Sequence, residues 1–204
     1  MILAGMRTCD EESWGFGWIA PEPAFLERCS HAVAAGGRVW LFDVVDGEEV
    51  DDRVRALGEP AAVVQLLDRH GRDCPAVARR LGVPLLEVPA DIPDSPFRVV
   101  PVLRVPRWRE VAVWWPEQRV LVCGDALGTV PYFRAPGDGL AVHPLLRLRP
   151  PRTLGALEPA HVLCGHGEGL HDDAAGDAVR EALRTARRRL PAAWIASVRA
   201  SRSG

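Results

Sequence analysis

Residues 66–74 read LLDRHGRDC and place a dense group of side chains that can carry charge, move protons or bind a metal directly after an apolar run. The apolar run, AAVVQ, is typical of a buried strand. Loops at strand ends are where rigid folds usually place functional side chains. The loop is therefore a metal or catalytic loop, the remnant of one, or a solvated turn. Its ligand-type and charged residues are Asp68, Arg69, His70, Arg72, Asp73 and Cys74.

Two later strands end in the same way. The run VLVCGDAL places Asp125 just beyond a strand, and VLCGHGEG does the same for His166. A glycine stands before each ligand-type residue, where the backbone must turn sharply or approach another group closely. The pattern predicts three functional loops at strand ends.

Composition bounds the other possibilities. The chain has 204 residues, 48% of them apolar and 25% charged, which suits a globular protein with a sizeable core. The net charge of −2 gives no reason to expect a nucleic acid or a membrane as a partner. The beginning, MILAGMRTCDEES, does not have the pattern of a signal peptide. The five cysteines are widely spaced and odd in number, which predicts reduced thiols and a cytoplasmic location.

Periodicity predicts elements of both kinds. The first half alternates strands with amphipathic helices: strands at 38–43, 61–67 and 83–89, helices at 49–57 and 75–81. The second half has the apolar runs VVPVLRV, EVAVWW and RVLVC, of which the last two should form a hairpin, then a strand at 161–164 and a helix at 173–190. This order predicts two sheets flanked by helices.

Together, these motifs resemble the metallo-β-lactamase superfamily. In that family a strand ends in Asp, the next runs into a His-x-His-x-Asp-His loop, and a later His, a Gly-Asp and a Gly-His-Gly follow. Here Asp43, the loop 69–74, Gly124-Asp125 and Gly165-His166-Gly167 occur in that order. The resemblance is strongest over 37–170. It implies an α/β fold, a four-layer αββα sandwich of two mixed sheets, with residues 1–204 as a single domain and 171–204 as its C-terminal helix and tail.

The departures from the family pattern imply a degenerate metal site. Aligning Asp73 with the motif's aspartate puts Arg69 and Gly71 where the two leading histidines belong. The later histidine should fall just before EVAVWW, but there is no histidine from 90 to 142. These three histidines would hold the family's first metal, so that position is expected to be lost.

The second metal position has more complete counterparts. The resemblance assigns it Asp73, Cys74, Asp125 and His166, a set that could hold one zinc or other divalent ion, or none. Each residue also has a structural explanation that the sequence leaves open. Cys74 could pack under the loop, Asp73 could cap a helix that starts with Pro75, and Asp125 and His166 could bond only to backbone.

Two functions remain open from sequence. One is a weakly active or inactive metal-dependent hydrolase acting on an unknown small-molecule ester, thioester, amide or phosphoester. The other is a non-catalytic binding or scaffold domain in which Arg69 replaces the metal beside Asp125. His70 is expected to be an exposed loop residue. The remaining histidines, the cysteines other than Cys74 and the tryptophans are expected to be structural or solvated, except that Trp108, Trp114 and Trp115 could form an aromatic pocket near the missing histidine.

Overall fold

The structure is a computed structural model that describes residues 5–20, 26–47 and 49–203. Within these residues the first sheet has six strands. The strands follow one another in space as they do in sequence, antiparallel from the first to the fourth and parallel from the fourth to the sixth. They are β1 (Arg7–Glu12), β2 (Gly15–Ile19), β3 (Cys29–Ala35), β4 (Arg38–Phe42), β5 (Glu59–Gln65) and β6 (Leu85–Glu87).

The second sheet has five strands and faces the first. Its strands are β7 (Arg98–Val105), β8 (Trp108–Trp115), β9 (Val120–Cys123), β12 (His161–Cys164) and β13 (Leu170–His171), in the spatial order β13-β12-β9-β8-β7. A small ribbon pairs β10 (Leu127–Gly128) with β11 (Ala141–Val142). Strands β9 and β12 are parallel, and Cys123 is the register partner of Cys164. The loops carrying Asp125 and His166 therefore leave the sheet side by side.

Helices cover both outer faces. They are α1 (Val50–Leu57), α2 (Cys74–Leu81), α3 (Ala175–Thr185) and α4 (Leu190–Ser203). Because neighbouring strand residues point to opposite faces, Leu41 packs outward with the apolar stripes of α1 and α2, while Phe42 packs inward. The inner face of β4 meets Val113 of β8, and α3 places Val179 on the other side of the second sheet. The resulting layers are α, β, β and α, which confirms the predicted fold class.

The sequence patterns located most of these elements but missed the N-terminal strands β1, β2 and β3. The predicted helix at 173–190 corresponds to α3, which ends earlier, at Thr185, and a second helix, α4, begins at Leu190. Pro191 lies in the first turn of α4, because proline is accommodated there but not in a helix interior. None of the helices in the described part of the chain has the length and apolar character needed to cross a membrane.

Candidate metal centre

Asp43 and His70 form the base of the candidate site. Asp43 follows β4 and is only 2% exposed. One carboxylate oxygen, Oδ1, accepts the backbone N–H of Leu66 at 2.8 Å, which fixes the loop after β5. The other, Oδ2, lies 2.7 Å from Nδ1 of His70. Since a carboxylate only accepts, His70 donates its Nδ1 proton to Asp43 and turns Nε2 towards the centre of the site.

His166 is oriented in the same manner from the second sheet. Its Nδ1 lies 2.6 Å from the carbonyl oxygen of Leu26, so this nitrogen also carries the donated proton. Its Nε2 lies 3.1 Å from Oδ1 of Asp125, and Nε2 of His70 lies 3.2 Å from the same oxygen. Three ligand-type atoms from three strand-end loops therefore converge on one point.

The convergence leaves the Oδ1 atom of Asp125 without a hydrogen-bond partner. This oxygen is buried, and neither imidazole contact has the geometry of a hydrogen bond. In their neutral forms both imidazoles present an Nε2 lone pair, not a proton, to the carboxylate. Lone pairs facing an anionic oxygen repel it unless a cation lies between them.

The same three residues match a divalent metal in kind and spacing. His70, Asp125 and His166 offer atoms that all lie within 4.8 Å of one another, and all three side chains are buried. Zinc bound at about 2.0–2.1 Å to nitrogen and oxygen in a tetrahedron separates its ligands by about 3.3 Å, close to the observed contacts. The donated Nδ1 protons supply the outer hydrogen bonds that metal-binding histidines usually make. The donor set therefore fits a zinc ion.

Arg69 contacts the other oxygen of the central carboxylate. Its Nη2 donates to Oδ2 of Asp125 at 3.0 Å, and its guanidinium lies 3.9 Å from the centre of the Trp108 ring. The side chain is 44% exposed. Arg69 therefore balances part of the charge of Asp125 and also faces solvent.

Asp73 and Cys74 do not join this group of residues, contrary to the predicted ligand set. Asp73 Oδ2 accepts the backbone N–H of Asp46 at 2.9 Å, and its side chain does not cap α2. The Sγ of Cys74 accepts the backbone N–H of Val44 at 3.2 Å. Burial raises the pKa of this thiol to about 12.

The prediction that His70 is exposed is wrong, since only 7% of the residue is accessible. The loop turns sharply after it, with Arg72 at φ 38°, so that α2 can begin at Cys74. This turn directs Cys74 beneath the first sheet and leaves His70 facing Asp43. The loop therefore contributes one imidazole to the site, and not the carboxylate and thiol that the alignment assigned.

Arg72 holds the surrounding loops together. Its guanidinium donates to the carbonyl oxygens of Cys29 at 2.6 Å, Asp43 at 2.7 Å and Gly165 at 2.9 Å. Each bond goes to a different strand end. The position of the candidate ligands thus depends on tertiary contacts that no local pattern reveals.

Glu110 is a buried carboxyl group beside the cluster. It is fully inaccessible, its Oε2 accepts the indole N–H of Trp108 at 2.9 Å, and its Oε1 accepts the backbone N–H of Ala126 at 2.7 Å. Burial, followed by the charge of Asp125, raises its pKa to about 8. It is the first residue of the run EVAVWW, next to where the family histidine was expected.

The raised pKa of Glu110 predicts a pH-dependent stability for the metal-free chain. Between about pH 5 and 8 the folded state keeps a proton that the unfolded state has lost, so the free energy of unfolding falls as pH rises. One group contributes at most about 1.4 kcal/mol per pH unit. We expect denaturant unfolding in the presence of chelator to show this decline, and Glu110→Gln to flatten it. An equally steep decline in Glu110→Gln would contradict the assignment.

Aromatic side chains close the site on the side of the second sheet. His143 lies edge-on to Trp108 and Phe133, with ring centres 5.1 Å and 4.9 Å away, and Phe133 lies 5.6 Å from His166. Burial lowers the pKa of His143 to about 4, so it is neutral in this wall. Trp108 therefore lines the site, whereas Trp115 packs between the sheets.

The glycines before Asp125 and His166 allow a close approach, as their positions predicted. A Cβ on Gly165 would lie 2.9 Å from the carbonyl oxygen of Gly124. We expect Gly165→Ala to push these loops apart and to weaken zinc binding at least tenfold, measured by calorimetric titration. Gly139→Ala is a matched control, because nothing lies within 4 Å of the Cβ it would add. Unchanged affinity in Gly165→Ala would show that loop spacing does not set the site.

Solved structures of three other proteins share the fold described above. A metallo-β-lactamase from Erythrobacter litoralis aligns with TM-score 0.62 and 11% identity, over 92% of this chain and 95% of its own. The DIM-1 metallo-β-lactamase exposed to ceftazidime aligns with TM-score 0.58 and 14% identity, over 91% and 100%. TMB-1 aligns with TM-score 0.52 and 13% identity, over 89% and 98%. This chain has the metallo-β-lactamase fold.

At these identities the likeness concerns the fold alone. No family model matches the sequence, and no curated protein matches it either. In this metallo-β-lactamase fold, Asp43, Asp125 and His166 meet around His70 at one edge of the sandwich. The carboxylate of Asp73, which the resemblance assigned to the same site, instead accepts the backbone N–H of Asp46. The contribution of His70 was missed. Asp43 was the available signal, because a carboxylate at a neighbouring strand end can orient an imidazole.

Proposed function

We propose that the chain is a metallo-β-lactamase-fold hydrolase that holds one divalent metal, best matched by zinc, at His70, Asp125 and His166. The observation that carries the proposal is the convergence of two imidazole Nε2 atoms on the partnerless, buried Oδ1 of Asp125. Three protein ligands leave a fourth position open, as catalytic zinc sites do. When bound, zinc would acidify a water molecule and polarise a carbonyl or phosphoryl group.

Other residues of the chain would orient the ligands, bind the substrate and exclude water. Asp43 and the carbonyl of Leu26 hold the two imidazoles in the tautomer that leaves Nε2 free. Arg69, bonded to Asp125 but partly exposed, can bind an anionic group of a substrate beside the site. The aromatic wall of Trp108 and Phe133 excludes water from one side.

The substrate class is an ester, thioester, amide or phosphoester of a small molecule. The titles of the structural neighbours describe β-lactamases, but the sequence of this chain lacks the leading histidines of the family loop. We therefore propose a degenerate site with a single metal and weak hydrolytic activity. Five unpaired cysteines support a reducing compartment such as the cytoplasm.

The test is metal analysis joined to a hydrolysis panel. Protein purified without a chelator or a metal-binding tag should carry zinc. Asp125→Asn purified in the same way should carry one equivalent less. The same variant should lose hydrolysis of whichever ester, thioester, amide or phosphodiester substrate the parent cleaves. Identical metal content in the parent and in Asp125→Asn would overturn the proposal.

A metal-free binding or scaffold domain is the second candidate. The contacts of Arg69 and His70 with Asp125 favour it, because both side chains can carry a positive charge. Burial and Arg72 act to lower the pKa of His70, yet Asp43 and Asp125 raise it to about 9. A protonated His70, together with Arg69, could then balance Asp125 without a metal. In that case the cluster would stabilise the fold and the site would have no hydrolytic role.

Arg69→Ala separates the two candidates. If a metal balances Asp125, loss of the partly exposed Arg69 side chain and its stacking on Trp108 should cost only about 1 kcal/mol, and zinc should still bind. If Arg69 replaces the metal, the loss should be larger and zinc should not restore stability. Arg119→Ala is the matched control, because Arg119 is also 44% exposed and lies 3.1 Å from Asp173. Thermal unfolding with and without zinc measures both variants.

A further inference from the structure

A second group of metal-type ligands lies on the inner face of the first sheet. Cys9, Gly17 and His31 are register partners in one row across β1, β2 and β3. Cys29 stands two residues before His31, so both side chains point to the same face of β3. The middle position of the row has no side chain, and a Cβ on Gly17 would lie 2.9 Å from both Cys9 Sγ and His31 Cδ2. Glycine thus leaves a cradle in which the flanking side chains meet.

A β-bulge brings a carboxylate to the same cradle. The register of β1 shifts between Cys9 and Glu12, and Asp10 has a φ of 51°. Bulges re-aim side chains, and a left-handed aspartate is uncommon inside a strand. The carboxylate of Asp10 consequently lies beside its neighbour Cys9, where the regular alternation of a strand would place it on the opposite face.

Three contacts between the donor atoms have separations close to those of a closed metal site. The Sγ atoms of Cys9 and Cys29 are 3.5 Å apart, and Cys29 Sγ is 3.5 Å from Nε2 of His31. That nitrogen is 3.0 Å from Oδ2 of Asp10. Tetrahedral zinc with bonds of about 2.3 Å to sulfur and 2.0–2.1 Å to nitrogen or oxygen gives ligand separations of about 3.3–3.8 Å. At these three contacts the observed separations lie within about 0.4 Å of the tetrahedral values, and Cys9, Asp10 and Cys29 each offer a ligand atom within 4.8 Å of the others.

The outer contacts and the burial of the cluster also fit a structural site. Oδ1 of Asp10 accepts the backbone N–H of Gly169 at 2.8 Å and lies 2.8 Å from Nε2 of His171. Oδ1 is therefore held by these two contacts, while Oδ2 faces His31. Cys29 is fully inaccessible, His31 is 2% exposed and the Asp10 side chain is 2% exposed. Structural zinc sites are closed to solvent in this way, whereas catalytic sites keep an open position.

We propose that Cys9, Asp10, Cys29 and His31 bind a structural zinc ion, separate from the candidate hydrolytic centre. Binding releases the two thiol protons, and the proton on His31 Nε2 moves to Nδ1. The backbone N–H of Cys29 donates to the carbonyl oxygen of Gly165 at 2.9 Å, next to His166. The ion would thus tie β1 to β3 and brace the strand that supports the loop of His166.

Cobalt(II) titration of the reduced, metal-stripped full chain tests the proposal. Thiolate ligands give cobalt a near-ultraviolet sulfur-to-metal charge-transfer absorption that nitrogen and oxygen ligands do not. We expect this absorption in the parent protein and in Asp125→Asn, where it should saturate at one equivalent, and we expect it to vanish in Cys29→Ser. Cys123→Ala is the control, because Cys123 is a buried cysteine of the other sheet that should leave the absorption unchanged.

The outcomes keep this site separate from the hydrolytic one. Loss of the absorption in Asp125→Asn but not in Cys29→Ser would overturn the structural site. Loss in Cys29→Ser but not in Asp125→Asn would support it, whether or not the protein hydrolyses any substrate. Absence of the absorption in the parent protein would overturn it even if Cys29→Ser fails to fold. Alkylation of the denatured, unreduced chain should modify five thiols, and modification of only three would show a disulfide in place of the metal site.

Discussion

Asparagine in place of Asp125 is expected to abolish the rise in melting temperature that zinc produces at the hydrolytic centre. The substitution keeps the shape of the side chain but removes the negative charge on which both imidazoles and Arg69 converge. A ligand at 100 times its dissociation constant stabilises a protein by about 2.7 kcal/mol. For a chain of this size each kcal/mol corresponds to about 2–4 °C. The parent protein should therefore gain about 5–10 °C from this site, and Asp125→Asn should gain none of it.

Asp73→Asn is the matched control for this experiment. Asp73 lies in the loop that contributes His70, and the family resemblance assigned it to the metal, but its carboxylate accepts a backbone N–H from Asp46. We expect Asp73→Asn to keep the zinc-dependent rise. A rise lost in Asp73→Asn and retained in Asp125→Asn would show that the loop is arranged differently from the structure.

Alanine in place of Glu110 is expected to be strongly destabilising. It would remove the acceptor of two buried donors, the indole N–H of Trp108 and the backbone N–H of Ala126. Each unsatisfied buried donor costs about 1–3 kcal/mol, and the vacated volume adds to this. We expect a total loss of about 3–5 kcal/mol, or a fall of about 6–20 °C in melting temperature.

Two further variants are compared with Glu110→Ala to identify the cause of its loss of stability. Glu110→Gln keeps one acceptor oxygen and should lose less stability than the alanine variant. Glu117→Ala, in the exposed turn between β8 and β9, should change the free energy of unfolding by less than about 0.5 kcal/mol. A Glu110→Ala variant as stable as Glu117→Ala would show that the carboxyl group is not the buried acceptor described here.

The fold was predictable because its central strands are continuous apolar runs. Strands β4, β5 and β9 bury nearly all of their residues, and such runs bounded by turns are distinct in sequence. Strand β1 was missed because it is an edge strand with mixed burial and a bulge, and RTCDEE has no clean alternation. The bulge in β1 turns Cys9 and Asp10 to the same side of the sheet, and no pattern in the sequence indicates a bulge there.

The candidate site was predictable only in part. Asp125 and His166 follow parallel, adjacent strands, so their proximity follows from topology. The choice of His70 over Asp73 and Cys74 depends on Asp43, which lies 27 residues before His70, and on Arg72, which pulls the loop onto three backbone carbonyls. A motif alignment compares positions along the chain and carries no information about such contacts, so it did not place His70, rather than Asp73 and Cys74, beside Asp125 and His166.

The most direct measurement is an anomalous difference map, collected at the zinc absorption edge from crystals of the full chain grown with zinc. The proposed function predicts a peak about 2.0–2.2 Å from Nε2 of His70, Nε2 of His166 and Oδ1 of Asp125. No peak at these atoms, or a peak bound instead by Asp73 and Cys74, would contradict it.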